Sequence, residues 1–387
     1  MRILIAVHRK KATLCAIMDK VRIGIIGTGG MGQHHSRSLL SGKLENMELR
    51  AVCDVDEARL ANFPDQLGFT DSGELCRSGE VDAVIIATHH FAHTTLGIEA
   101  LENGLHVLVE KPLSVHKADC ERLIAAHRNP DQVFAAMFNQ RTDPHYRKLR
   151  DLINRGELGE IRRYVWIITN WFRTEAYFGS GGWRATWAGE GGGVLMNQCA
   201  HQLDLLQWMF GMPEKVRAFC EFGRYHDIEV EDDVTAYLEY ANGSKGVFIT
   251  TTGESPGTNR LEVTGERGKV VLEGAGIDFT RNEIPMSEFS RGENVGNGRM
   301  ETWDVHIDID GRGGQHAEIL QNFGDAILKG TPLIAPAAEG IRSVELMNSM
   351  LYSSINEATV ELPLDGAAYE TLLQRLIRES EEKKKVR

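Results

Sequence analysis

Residues 24–32 read GIIGTGGMG, and they follow directly on Val21-Arg22-Ile23. A short run rich in Val and Ile that breaks into closely spaced glycines and then a helical pattern is the start of a strand–turn–helix unit. Gly27, Gly29 and Gly32 satisfy G-x-G-x-x-G. The first glycine permits a tight turn, the second lets backbone approach a pyrophosphate, and the third allows close helix–strand packing. Gly27, Thr28, Gly29, Gly30, Met31 and Gly32 are therefore read as a pyrophosphate cradle at a helix N-terminus. Asp54 ends the next strand, about 20 residues on, where an acid can accept the ribose hydroxyls of NAD. Asp56 and Glu57 add negative charge there. The cofactor expected is NAD, with NADP disfavoured because this acidic stretch repels a 2′-phosphate.

The same alternation continues to about Arg141. Strands are predicted at VRIGIIG, MELRAVCD, VDAVIIAT, HVLVE and VFAAMF. Helices are predicted at GMGQHHSRSLLSG, DEARLANFPDQ, FAHTTLGIEALENG and ADCERLIAAHR. Near-continuous Val and Ile in strands separated by helices indicates a parallel sheet buried on both faces. After Arg141 the pattern changes. PHYRKLRDLINRGELG reads as an amphipathic helix, and longer alternating strands follow, with hairpin signals at ANGS and GERG. The tail returns to helix. The fold class expected is α/β: an N-terminal Rossmann doubly wound parallel sheet plus a C-terminal α+β domain with an open-faced, mostly antiparallel sheet. The boundaries are 18–141 for the NAD(P)-binding domain and 142–387 for a substrate-binding and oligomerisation domain. Residues 1–17, ahead of a second possible start at Met18, read as an irregular extension.

With 387 residues the chain is long enough for two cores. Its net charge of −12 argues against a nucleic-acid partner. No apolar run is long enough to span a bilayer, so no membrane partner is expected. The scattered cysteines, with no C-x-x-C pair, fit reduced thiols and a cytoplasmic location. His89 and His93 have helical i, i+4 spacing but no evident third ligand, so no metal is expected.

Two further stretches carry chemistry. HVLVEKPLS sets Glu110, Lys111 and Pro112 at the carboxyl end of a parallel strand, the edge where such sheets bind ligands. A lysine there can hold a substrate oxygen and stabilise developing alkoxide charge. Residues 191–208 read GGGVLMNQCAHQLDLLQW. Taken as one helix, this places Asn197, His201, Asp204 and Trp208 within roughly 60° of one another. Ahead of it, Trp171, Arg173, Tyr177, Trp183, Arg184 and Trp187 crowd one loop. Aromatic faces and paired Arg donors suit a sugar, and packing within the loop or against another subunit is the competing reading. Arg141 is grouped with these as a substrate contact, and His316 is a further candidate for the cleft.

Taken in order, GIIGTGGMG, VDAVIIAT with His93, HVLVEKPLS, FNQRTDPHYRKLRDLINRGELGEI, GGGVLMNQCAHQLDLL and PLIAPAAEGIRSVELMNSM resemble the Gfo/Idh/MocA family from about Lys20 to Asp365. The resemblance implies a nicotinamide and substrate cleft between the two domains. Lys111 matches the family's E-K-P lysine, His201 its histidine and Asp204 its later acid. Thr88, His90, His93, Glu110 and Asn139 fall where the family lines the cofactor and the cleft. Asn197 stands where many members have Asp, and His89 where many have proline. His201 is preferred as the base, Lys111 as the holder of the oxygen, and Asn197 and Asp204 as supporting residues. The activity implied is hydride transfer between NAD and a secondary hydroxyl of a sugar, cyclitol or glycoside by a homodimer or homotetramer. An NAD-dependent glycoside-cleaving enzyme and a non-catalytic dinucleotide-binding regulator are the alternatives.

Overall fold

The computed structural model describes residues 20–292 and 296–386. The predicted extension at 1–17 lies outside them. The first sheet is built from β1 (Val21–Ile26), α1 (Gly30–Leu40), β2 (Met47–Cys53), α2 (Glu57–Leu60), β3 (Leu67–Phe69), α3 (Ser72–Arg77), β4 (Ala83–Ile86), α4 (Ala92–Glu102), β5 (His106–Val109), α5 (Lys117–Ala126) and β6 (Phe134–Ala136). Its six strands are all parallel, in the order β3-β2-β1-β4-β5-β6. This is the doubly wound Rossmann order, and it puts the β1–α1 and β4–α4 loops at the topological switch point. Ile23, Ile25, Val84, Ile85, Val107 and Leu108 are fully buried, which is why these strands read as continuous apolar runs.

A 3₁₀ turn at Asn139–Thr142 leads to α6 (Pro144–Asn154). Asp143 caps α6 by accepting the His145 amide, with Pro144 at the first helical position, where its missing N–H costs nothing. The second half then runs β7 (Ile161–Ile168), α7 (Glu175–Phe178), α8 (Ala200–Phe210), β8 (Lys215–Phe222), β9 (Glu231–Glu239), β10 (Lys245–Thr251), β11 (Asn259–Gly265), β12 (Gly268–Glu273), β13 (Gly276–Asn282), α9 (Met286–Arg291) and β14 (Thr302–Asp308). It closes with α10 (Gln315–Lys329), α11 (Ala337–Ile355), β15 (Val360–Glu361) and α12 (Gly366–Val386). Its nine strands form one mixed sheet, antiparallel throughout except where β7 runs parallel to β10. ANGS and GERG turn the β9–β10 and β11–β12 hairpins.

The last third of the chain ties the two sheets together. Helix α11 packs against α5 and β6 on one side and α8 and β8 on the other. Just before it, the Ala335 carbonyl accepts the Ala136 amide at 3.0 Å, extending the β6 edge. Buried Lys117 at the start of α5 donates to Glu345 on α11 at 2.9 Å and to the Leu364 carbonyl at 2.7 Å. Among the described residues no helix is long and apolar enough to cross a membrane.

Candidate active site

The glycine loop is shaped as its spacing requires. Gly27 has φ +92°, and a Cβ there would lie 2.7 Å from the Ala87 carbonyl oxygen. A Cβ on Gly32 would collide with the Gly27 carbonyl. Gly29 is the N-cap residue of α1 and offers no side-chain cap, and nothing lies within 4 Å of a Cβ built on Gly30. The N-terminus of α1 thus has free space beside Gly30, an arrangement that fits a pyrophosphate. Asp54 accepts the Thr28 amide at 2.8 Å and its hydroxyl at 2.9 Å through one oxygen, and the Asp56 amide at 3.0 Å through the other. Burial works to raise Asp54, but these amides outweigh it and hold the carboxyl below its ordinary range. Arg59 stands 3.6 Å from it. Met31 is exposed.

Thr88 packs against Gly27. Both ring nitrogens of His93 are engaged within the protein. It is fully buried, with Nδ1 2.9 Å from the Pro112 carbonyl and Nε2 3.2 Å from the Thr88 carbonyl. It pins the loop after β4 to the loop after β5. His90 is buried beside the Glu190 carbonyl, at 3.4 Å, and edge-on to Trp183. Burial, with the charge of Lys111 among the smaller causes, pulls it down to about 3. Asn139 Nδ2 donates to Gln315 at 2.7 Å, and its side-chain oxygen Oδ1 is buried without a partner.

Glu110 is likewise committed within the protein. Oε1 lies 2.6 Å from His35 Nε2, and Oε2 accepts the Lys111 amide at 3.1 Å. Burial opposes ionisation, yet the His35 contact and the nearby positive charge hold Glu110 at about 2. The His34, His35 and His316 rings pack against one another, with His34 and His316 centroids 4.9 Å apart. The Lys111 ammonium reaches across to the second half of the chain, where Nζ donates to the Asn197 carbonyl at 2.8 Å. Burial lowers its pKa.

The stretch 191–208 is not one helix. Helix α8 begins only at Ala200, and residues 191–199 form a succession of turns. Gly191 has φ +77°, and the amides of Gly193, Val194 and Leu195 all donate to Glu231 instead of to earlier carbonyls. Asn197 therefore acts through its backbone on Lys111, while its side chain donates to Glu190. His201 follows in the first turn of α8, edge-on to Phe138, with Nδ1 buried and unpartnered. Burial first and the charge of Lys111 second hold it at about 3.

Asp204 and Arg141 are not placed to act on a substrate. Both are 1% exposed and bind each other bidentately, at 2.7 and 2.8 Å. Arg141 also donates to Glu339 and to the Ile334 carbonyl. They are a buried ion pair joining α8 to the turn after the first sheet. The aromatic loop interleaves rings and guanidinium groups. Arg173 lies over Trp171 and Tyr177, and Arg184 over Tyr177 and Trp183. Trp183 is 40% exposed, whereas Trp187 belongs to the core.

Three residues absent from the sequence reading shape this region: His35, Glu190 and Glu231. An acid directly ahead of three glycines, AGEGGG, was a local signal for Glu190. Nothing local marked the other two.

Residues 21–138 match the oxidoreductase family with an NAD-binding Rossmann fold, and residues 146–271 match the GFO/IDH/MocA C-terminal domain. The chain belongs to the Gfo/Idh/MocA family. It is accordingly an oxidoreductase whose first domain binds NAD. Myo-inositol 2-dehydrogenase from Thermotoga maritima is 28% identical over 263 residues, which span 65% of this chain and 74% of that protein. Inositol 2-dehydrogenase from Salmonella typhimurium is 32% identical over 146 residues, 36% of this chain and 43% of that one. Among solved structures of the fold are the WlbA dehydrogenase from Bordetella pertussis in complex with NADH and UDP-GlcNAcA (TM-score 0.74, 23% identity, 89% of this chain and 100% of that one) and levoglucosan dehydrogenase in complex with NADH and levoglucosan (TM-score 0.74, 20% identity, 89% and 100%). Among the described residues no group of three His, Cys, Asp or Glu side chains is arranged to hold a metal ion.

Proposed function

We propose that this Gfo/Idh/MocA protein is an NAD-dependent dehydrogenase acting on a secondary hydroxyl of a cyclic polyol or sugar. One observation carries the reading. Lys111, on the loop after β5, donates to the Asn197 carbonyl, and its charge acts on His201 one turn further along the chain. A cation from the NAD-binding half thus lies near enough to an unprotonated imidazole from the other half to act on it.

The amides around Gly29 and Gly30 would hold the pyrophosphate, and Asp54 and Thr88 would flank the ribose. Bound NAD supplies the hydride acceptor. Lys111 binds the hydroxyl oxygen and stabilises the negative charge that grows on it. His201, neutral near pH 7, takes the hydroxyl proton. A base held near 3 is a weak one, so Lys111 must supply much of the driving force by acidifying the bound alcohol. The exposed Trp183 face and the Arg184–Tyr177 pair suit the CH faces and hydroxyls of a ring. The cyclitol and sugar dehydrogenases among the relatives support that substrate class.

Exposed Trp303 and Val305, two residues apart on the edge strand β14, support a homo-oligomer, which sedimentation would measure.

The test is to supply NAD with a panel of inositols, aldoses and anhydrosugars and follow NADH absorbance. Turnover confined to ring polyols is the expected result. A protein that binds NAD and turns over none of them overturns the reading.

A further inference from the structure

Glu231 opens β9 and is fully buried. It takes three consecutive amides of the glycine-rich loop. Its carboxylate accepts from Gly193 at 2.8 Å and Leu195 at 3.1 Å, and its backbone carbonyl accepts from Val194 at 3.0 Å. The fit is close: a Cβ on Gly193 would collide with the Glu231 carbonyl, and one on Gly192 would sit 3.7 Å from both carboxylate oxygens. Among the described residues no lysine, arginine or histidine pairs with this carboxylate. A buried, unpaired carboxylate is costly, and an apolar side chain would fill the same space at lower cost. What the acid provides is a grip on the loop.

The consequence is felt two residues beyond that grip. The loop presents the Asn197 carbonyl to Lys111 at 2.8 Å and then starts the helix that carries His201. We infer that Glu231 is a positioning residue, which by holding amides 193–195 fixes the Asn197 carbonyl against Lys111 and sets the entry of His201 into the cleft. The inference rests on the proposed dehydrogenase reading for its kinetic test, and its chemical test is independent of that reading.

The grip depends on the proton state of Glu231. The groups that act on it or feel it are Glu190 from the same loop, Cys199 at the head of α8, Cys220 on β8 and Tyr369 on α12. None is a cation. Burial, reinforced by the like charge of Glu190 and opposed by the backbone amides, brings Glu231 to about 7. The ionised carboxylate accepts both amides fully. The protonated form turns one oxygen into a hydroxyl and weakens its hold on one of them.

Glu231→Gln sets an NH₂ group against an amide N–H. In that variant kcat falls by about 100-fold, the size expected from a misplacement on the order of 1 Å. NAD affinity, read by tryptophan fluorescence, stays as in the wild type. The acidic limb of the wild-type kcat profile near pH 7 is absent from the Gln variant and returns in Glu231→Asp. The substrate-free arm is reductive methylation, read by mass spectrometry at Lys111 and normalised to Lys117, which is held by Glu345. Lys111 labels several-fold faster in Glu231→Gln than in the wild type. That result with no polyol turnover in the wild type upholds Glu231 and removes the dehydrogenase reading. A folded Glu231→Gln protein with wild-type Lys111 labelling and an unchanged pH profile overturns the inference. Should that variant not fold, wild-type labelling decides: a Lys111-to-Lys117 ratio that rises below pH 7 supports it, and a flat ratio overturns it.

Discussion

Asp204 and Arg141 face each other as a closed bidentate pair, both 1% exposed, 63 positions apart in the chain. The acid lies one turn beyond His201, and the arginine follows directly on the first sheet. The pair thus couples the helix that carries His201 to the NAD-binding half through a fully buried contact. Gln207 donates to the same carboxylate at 3.0 Å, and Glu339 takes the remaining face of the guanidinium.

Breaking the pair leaves a buried charge without its partner. Asp204→Ala is expected to cost about 3–5 kcal/mol of stability. Urea unfolding followed by circular dichroism measures it. Protein that remains folded keeps its affinity for NAD. A loss below about 1 kcal/mol would show that the pair is relaxed by water.

Lys111→Met keeps the length and apolar body of the side chain and removes its charge. It is expected to lower kcat/KM by roughly 1,000-fold, or about 4 kcal/mol of transition-state stabilisation, with NAD binding little changed. Steady-state kinetics with the best ring polyol, alongside fluorescence titration of NAD, separates the two effects.

His201 is held at about 3, so it is unprotonated throughout the range from pH 5 to 8. It contributes no limb to the free-enzyme pH profile in that range. His201→Asn is expected to lower kcat by roughly 100- to 10,000-fold without changing the shape of the profile. A limb that disappears with the substitution would mean that the ring titrates there.

Glu231 has the opposite sense from a salt-bridged acid. Its folded value of about 7 lies above its ordinary 4.5. Its contribution to stability is complete below about pH 4.5 and is lost as pH rises through about 7. The loss is on the order of 3 kcal/mol. Urea midpoints of the wild type and Glu231→Gln, compared from pH 5 to 8, show it as a fall present in the wild type alone. The same acid then grips the loop best where it stabilises the fold least.

Gly32→Ala places a methyl against the Gly27 carbonyl. The loop must open to relieve the clash, and NAD affinity is expected to fall by tenfold or more. Isothermal titration checks this, and unchanged affinity would show that α1 can shift at no cost.

The parallel sheet was legible because its strands are buried on both faces and spell out unbroken Val and Ile. Elements that failed this rule went unread. The edge strand β3 has Leu67 and Gly68 exposed, and β13 mixes polar residues into its length. DEARLANFPDQ reads as a helix, yet only Glu57–Leu60 is helical, because Asn62 and Pro64 end it after one turn. The segment 191–199 reads as a helix by its apolar spacing. A carboxylate from a distant strand captures its amides, and no local pattern announces that. For the same reason Asp204 read as a supporting catalytic acid and Arg141 as a substrate contact, since residue type marks a charge and only the tertiary fold shows that it is already neutralised. Lys111 drew notice because it ends a strand at the edge where parallel sheets bind ligands, and His201 because it matches the family's histidine, since the apolar spacing alone sets it in the middle of a helix that in fact begins only at Ala200.

Helix α11 has one foot on each sheet, and the residues just before it complete the edge of β6. Neither half is therefore a detachable module. An excised fragment ending near residue 141 would lose the wall that covers α5 and β6, leaving Lys117 without its acid. Anyone seeking to graft the nucleotide-binding portion onto another scaffold would have to carry the segment around Pro336–Ile355 along with it.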